Sequence, residues 1–275
     1  QTQFNAGDIV FVAYRTNAST PDEVAFLTFV NILPGTRINF TDAKYTDNAQ
    51  KQCAGGFVWT APASGVPAGS VVSISVDSPF GTSTGTVTGS SFGLSSSGEQ
   101  VNVYTGTAAN PNYITAISTN PWLSANINCT GSQSKLPDGL IDGQSSINTS
   151  TSPGNITGNT VNAYYNGTQA GTISELRTAI LNPANWIGVG AGTTAQQWPT
   201  WAFPGPPYVV SATVLNQTTL SLVFSSALDN ASAINALNYS GIAGLQTAVL
   251  AADNKTVTLT YVNPFVIGSA NTLTV

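Results

Sequence analysis

Twelve Asp/Glu, seven Lys/Arg, two cysteines and no histidine make up almost all the ionisable chemistry of these 275 residues. Asp22, Glu23, Asp42 and Asp47 lie where turns could gather them at one end of a β-domain, and Asp138 and Asp142 stand four apart in a loop. Oxygen clusters of this kind hold calcium in secreted β-proteins, so structural calcium is the one cofactor such residues could take. The D-x-[DN]-x-[DN]-G spacing of a regular calcium loop is absent, and the simpler reading is solvated turn acids. Two carboxylates can also cleave a glycosidic bond, yet nothing in their spacing singles out a pair. Histidine alone has an unperturbed pKa between pH 5 and 8, and it dominates acid–base catalysis and metal ligation. Without it, the chain reads as non-catalytic, with no catalytic residue and no metal site.

Cys53 and Cys129 are too far apart, and too few, for a thiolate metal site. Their natural reading is one disulfide, with two free buried thiols as the alternative. The chain begins at Gln1, with no Met and no apolar leader, as mature secreted proteins often do. Hydrophobic residues are 41% of the chain, enough to build a core despite 7% charge. Surface polarity therefore falls to Ser, Thr, Asn and Gly. The basic residues never cluster, which excludes the phosphate-neutralising stripe a nucleic-acid binder needs. No apolar run is long enough for a membrane span.

Three further patterns qualify as candidate sites. N-x-[ST] sequons place candidate glycosylation at Asn17, Asn128, Asn148, Asn155, Asn166, Asn216, Asn230, Asn238 and Asn254, with Asn39 set aside because it falls in a predicted strand. Trp186, Trp198 and Trp201, with Phe203, could stack on a sugar, although aromatic clusters more often plug a core or an interface. Thr82, Thr84, Thr86 and Thr88 alternate along one strand face, which could suit ice or a neighbouring subunit but is also ordinary β chemistry.

The elements that must position these residues are nearly all β. Asp8–Tyr14, Glu23–Val30, Arg37–Thr41, Gly56–Thr60, Ser70–Val76, Gln100–Thr105 and Ile114–Ser118 are Val/Ile/Phe/Thr-rich runs bounded by turn residues. Thr172–Leu181 is the exception: Thr172 with Glu175 forms a capping box, Leu176, Ile180 and Leu181 fall at helical spacing, and Asn182–Pro183 ends the segment. Asn120–Asn166 reads as long Ser/Thr/Asn-rich loops or an elaborated edge. Phe203–Tyr208, with three prolines, reads as a stiff connector. Beyond it Val209–Leu215, Thr219–Ser225, Gln246–Leu250 and Thr256–Val262 alternate again. The expectation is all-β: two tandem β-sandwich domains, 1–204 and 207–275, with one short helix in the first.

Two resemblances extend this reading. Gly7-Asp8-Ile9-Val10, Asp22-Glu23-Val24-Ala25-Phe26-Leu27, Asn39-Phe40-Thr41-Asp42, Val66-Pro67-Ala68-Gly69 and Ser97-Gly98-Glu99 occur in an order that resembles the lamin-tail-like β-sandwich of bacterial secreted proteins. Asn182-Pro183-Ala184-Asn185-Trp186 resembles a segment closing longer members of that group, whereas Cys53, Cys129 and the Ser/Thr-rich middle depart from it. The second part is similar to immunoglobulin-like repeats of bacterial surface-layer proteins, on Leu220-Ser221-Leu222-Val223-Phe224, Ala236-Leu237-Asn238-Tyr239 and Asp253-Asn254-Lys255-Thr256-Val257. Both resemblances imply secreted appendage or adhesive modules at a cell surface. Such repeats run one strand beyond Asn271-Thr272-Leu273-Thr274-Val275, which implies an open edge there. That edge is filled either by residues beyond 275 or by Gln1–Asn5 of a neighbour in a head-to-tail homopolymer, a filament. The expected partners are other copies of the chain, other cell-surface components and glycans. A carbohydrate-binding module is the alternative function.

Overall fold

Strands form where β-branched and aromatic residues alternate between turn residues, because such side chains pack best on a pleated, half-buried surface. The computed structural model describes residues 1–16, 21–46, 56–95, 98–125, 133–151, 160–190, 198–203, 207–266, 268 and 270–275. Among them are fifteen strands in three sheets and two α-helices, an all-β fold. The chain divides into unit 1, Gln1–Gly205, and unit 2, Pro206–Val275.

Unit 1 contains β1 (Ile9–Arg15), β2 (Glu23–Thr28), β3 (Arg37–Thr41), β4 (Phe57–Thr60), β5 (Val71–Ser75), β6 (Thr86–Gly89), β7 (Gln100–Thr107), β8 (Asn110–Ser118), β9 (Ile147–Asn148), β10 (Thr160–Tyr165), helix α1 (Ile173–Ile180) and β11 (Trp186–Gly190). These build a five-stranded sheet, β11-β10-β1-β2-β5, and a six-stranded sheet, β6-β4-β3-β7-β8-β9. All neighbours are antiparallel except β8 and β9. One core fills unit 1, with Phe26 5.6 Å from Trp59 edge-on and Phe40 stacked 5.3 Å from Phe57. Gly85 is required beside it. Its φ is +81°, and a Cβ there would lie 2.5 Å from the Thr60 carbonyl and 2.8 Å from the Trp59 indole nitrogen.

The capping box is formed as the sequence predicts: the Thr172 hydroxyl accepts from the Glu175 N–H, and the Glu175 carboxylate accepts from the Thr172 N–H. Leu176 and Ile180 turn inward. β10 is a correction, since it lies inside the stretch expected to be loops. Its six residues, TVNAYY, are β-branched and aromatic but too short to stand out from the Ser/Thr/Asn background, and pairing to β1 and β11 decides their conformation.

Gln1–Asn5 packs on unit 1. Phe4 is buried in unit 1's own core, Thr2 N–H donates to the Thr36 hydroxyl at 3.0 Å, and the Thr2 hydroxyl accepts from Leu33 N–H at 2.8 Å. The segment expected to reach a neighbour is occupied at home.

Unit 2 is one antiparallel sheet, β12 (Val209–Asn216), β13 (Thr219–Phe224), β15 (Thr256–Tyr261) and β14 (Leu245–Leu250), in that spatial order. A second, four-residue helix, α2 (Asn230–Ala233), was not foreseen; the Asp229 carboxylate caps it by accepting from Ser232 N–H. Leu220, Leu222 and Phe224 alternate inward from β13 and meet Val257, Leu259 and Tyr261 from β15. Irregular segments cover them, held by Tyr239 Oη donating to the Ala233 carbonyl at 2.6 Å and by one β-bridge, Ser240 with Thr274. The C-terminal segment Asn271–Val275 is thus tied to unit 2 at Thr274.

Candidate functional site

Turn-flanked strands β3 and β7 bring the acids of unit 1 together. Asp42 follows β3, and Glu99 precedes β7, two strands paired from Asn39–Tyr104 to Thr41–Asn102. Gln100 and Asn102 share the outward face of β7. The Gln100 amide donates to the Glu99 carboxylate at 2.8 Å and to the Asp42 carbonyl, and the Asn102 amide donates to the Ala43 carbonyl at 3.0 Å. Loops roof this face. Tyr45 N–H donates to the Ser134 hydroxyl at 2.9 Å, Tyr45 bridges Lys135, and Tyr45, Tyr104, Tyr113, Ala116 and Leu140 form a second small core.

Burial pushes the Glu99 carboxyl up to about 7, and Asp42 adds to the rise. The Gln100 N–H, the Lys44 ammonium and the Gln100 amide oppose it. Asp42 is raised and Lys44 lowered, each mainly by burial. A carboxyl titrating near 7 is a suitable proton donor or acceptor at neutral pH. Here, however, Gln100, Asn102 and Lys44 are buried, and the side chains around Glu99 are spent on the roof. The arrangement sets a part-buried carboxyl under a packed layer of loops.

The other predicted acids go separate ways. The Asp22 carboxylate accepts from Leu94 N–H at 2.6 Å, Glu23 pairs with Arg15, and Asp138 pairs with Lys135 at 3.4 Å. Asp47 lies outside the described residues. No group of three or more His, Cys, Asp or Glu that could hold a metal occurs among the described residues.

Of the aromatic candidates, Trp186 offers no face to a sugar. It is fully buried, with its indole N–H donating to the Ile180 carbonyl at 2.7 Å. Trp198 and Trp201 lie 6.4 Å apart and inclined at 45°, both half-buried against the core of unit 1. The Arg15 guanidinium covers one Trp198 face at 5.2 Å, and the Trp201 indole donates to the Tyr165 carbonyl at 3.2 Å. Phe203 is buried beside Tyr165. The threonine row is interrupted: Thr86 and Thr88 are exposed on β6, whereas Thr82 turns its hydroxyl to the Thr84 carbonyl.

Cys53, Cys129, Asn17, Asn128 and Asn155 lie outside the described residues. Asn166, Asn216, Asn230, Asn238 and Asn254 are exposed, and Asn148 is half-buried. A cleft of about 330 Å³ in unit 1, lined by Ser145, Ser174, Arg177 and Thr178, leaves the Arg177 guanidinium over Phe29 and 3.8 Å from the Asp8 carboxylate.

Unit 2 leaves a strand face unmet. Residues directly opposite in an antiparallel pair project to the same face, so Ala212, opposite Leu222, and Val214, opposite Leu220, belong to the core side. Leu222 and Leu220 are buried there, but Val214 is 61% exposed, and all eight residues of β12 are exposed. Between β12 and the cover lies a cavity of about 660 Å³, walled by Ala212, Val214, Leu220, Ile242, Phe265 and Leu273 and lined by no charged residue. β12 ends its sheet, and no strand pairs with its other side among the described residues. Sequence reading expected an open edge in this unit, and among the described residues β12 leaves one. The clue available was the apolar content of the run, Val209, Val210, Ala212, Val214 and Leu215, of which Val209, Ala212 and Val214 stand opposite the core-side Phe224, Leu222 and Leu220.

Comparison of the chain with protein-family models, curated proteins and solved structures finds no match.

Proposed function

We propose that the chain is an extracellular, non-catalytic structural or adhesive protein of a cell surface, and that unit 2 assembles by strand addition. The open β12 face carries this reading: a sheet whose core side is covered over β13 and β15 but bare over β12 is completed by another strand. The acids of unit 1 support the non-catalytic part, because the side chains around the acid that titrates near 7 serve the roof. The resemblances to lamin-tail-like and surface-layer modules point the same way, and the five exposed sequons suit a glycoprotein. Sedimentation velocity of the full chain over a wide concentration range tests assembly, with concentration-dependent growth expected. A monomer throughout sinks it.

A Cys53–Cys129 disulfide belongs to the same reading. Tyr45 bridges Lys135, so the chain segments leading to both cysteines leave one bridge, eight residues before Cys53 and six after Cys129. Peptide mapping without reduction is expected to find the two linked; two alkylatable thiols in the native protein overturn the assignment. Carbohydrate binding keeps one supporting observation, the half-exposed Trp198–Trp201 pair. Glycan-array binding abolished by Trp198→Ala would favour it.

A further inference from the structure

The strand that completes unit 2 can be named. We infer that it is β12 of a second copy, laid antiparallel along the free edge of the first; this rests on the proposal that unit 2 assembles by strand addition. The cavity wall carries no charged residue, so it selects an uncharged strand. β12, VVSATVLN, has no charge and no proline, and every one of its eight residues is exposed. A strand that is bare on both faces, flat in charge and free along one backbone edge is the feature soluble β-proteins ordinarily suppress with Lys, Pro or a covering loop. β12 carries none of these; its irregularities lie at its two ends, between Val209 and Ser211 and between Val214 and Asn216, and leave Ser211–Val214 as the regular stretch open to pairing.

Geometry makes the pairing mutual. A twofold axis perpendicular to the sheet keeps the core face of both copies on one side. Ala212 and Val214 of one β12, the core-face residues of its regular stretch, then stand beside the same residues of the partner, at the 4.5–5.5 Å spacing of cross-strand neighbours. Each row closes the open side of the other's cavity, and the two cavities become one shared interior, mostly apolar and lined also by Asn216, Gln217 and Asn271. Such an interface is isologous and closes on itself as a dimer. Any larger assembly would use a further surface.

Sedimentation equilibrium of the full chain tests this, together with Val214→Lys and Val249→Lys. Val214 and Val249 are both largely exposed, so neither change threatens folding, and circular dichroism checks that. Val249 lies on β14, the opposite edge strand. The expected result is a dimer whose dissociation constant rises at least about tenfold in Val214→Lys and stays unchanged in Val249→Lys. Thr213→Cys adds a direct readout, since oxidation should link two copies through β12 and the parent chain treated alike should not. A chain monomeric at every concentration overturns both this pairing and assembly itself. Oligomers insensitive to Val214→Lys and not cross-linked at Thr213 overturn the β12 pairing alone and leave assembly standing.

Discussion

Unit 1 adds a second layer over its sheets, and unit 2 leaves one strand of its four bare. In unit 1 the five- and six-stranded sheets share one core, and loops then roof the outer face of β7 with Tyr45, Leu140 and a layer of amides and hydroxyls. In unit 2 a single sheet shelters beneath irregular segments held by one β-bridge, and the cover stops short of β12. The difference is one of size. A long chain can afford a second layer of loops, whereas a unit of about 70 residues buries a smaller fraction of its surface and gains most from a partner.

The tryptophans make this contrast measurable. Trp59, Trp122, Trp186, Trp198 and Trp201 all belong to unit 1, so tryptophan fluorescence reports that unit alone. Trp59→Ala should have the largest effect, destabilising unit 1 by about 3–5 kcal/mol in denaturant unfolding, because it empties a fully buried site between Phe26 and the sheet. A loss under about 1 kcal/mol would mean the core of unit 1 is less closely packed than described.

Next in size is a pH effect. An ordinary glutamate titrates near 4.5, and Glu99 in the folded protein near 7. Between those values the folded state keeps a proton that the unfolded chain has released. Stability from this group is therefore complete below about pH 4.5 and is lost as pH rises through 7. Glu99→Gln should flatten that slope, raising the stability of unit 1 at pH 8 by about 1–2 kcal/mol after allowance for partial exposure, and changing little at pH 4. An unchanged slope would show that Glu99 is ionised and solvated when folded.

Thr172→Ala removes one half of the α1 capping box and should cost about 1 kcal/mol by the same fluorescence measurement. The smallest effect is expected from Val214→Ala in the monomer. An exposed valine contributes little, so the change in unit 2, followed by far-ultraviolet circular dichroism at low concentration, should stay within about 0.5 kcal/mol. A cost of several kcal/mol would mean that β12 is already covered.

Local signals were legible and global ones less so. The seven runs from Asp8 to Ser118 and the four beyond Tyr208 became strands, all within a residue or two except β8, which begins four residues before the expected Ile114, because alternation and turn residues act locally. Thr172, Glu175 and Asn182–Pro183 bounded α1 for the same reason. β10 was hidden because its place beside β1 depends on pairing across more than 140 residues, which no short window carries. The Glu99 cluster was missed because its acid is perturbed by burial under a loop layer, not by a nearby motif. Trp186 kept a sugar-stacking alternative beside the preferred core packing because burial cannot be read from residue type. Its place after the α1 turn, where its indole meets the Ile180 carbonyl, is a tertiary fact. Gln1–Asn5 looked free because a single aromatic, Phe4, fixes it.

Asn216 gives the open strand an unexpected chemistry. It closes β12, lines the mouth of the cavity, and is an exposed sequon whose side-chain oxygen is turned to the Thr218 N–H at 2.9 Å. An oligosaccharide attached there would stand as a hydrated, branched obstacle along the edge that a second copy must approach. Material from a host that decorates this asparagine should therefore remain single, while the bare polypeptide pairs. The production system itself would then decide the state of the molecule in the tube.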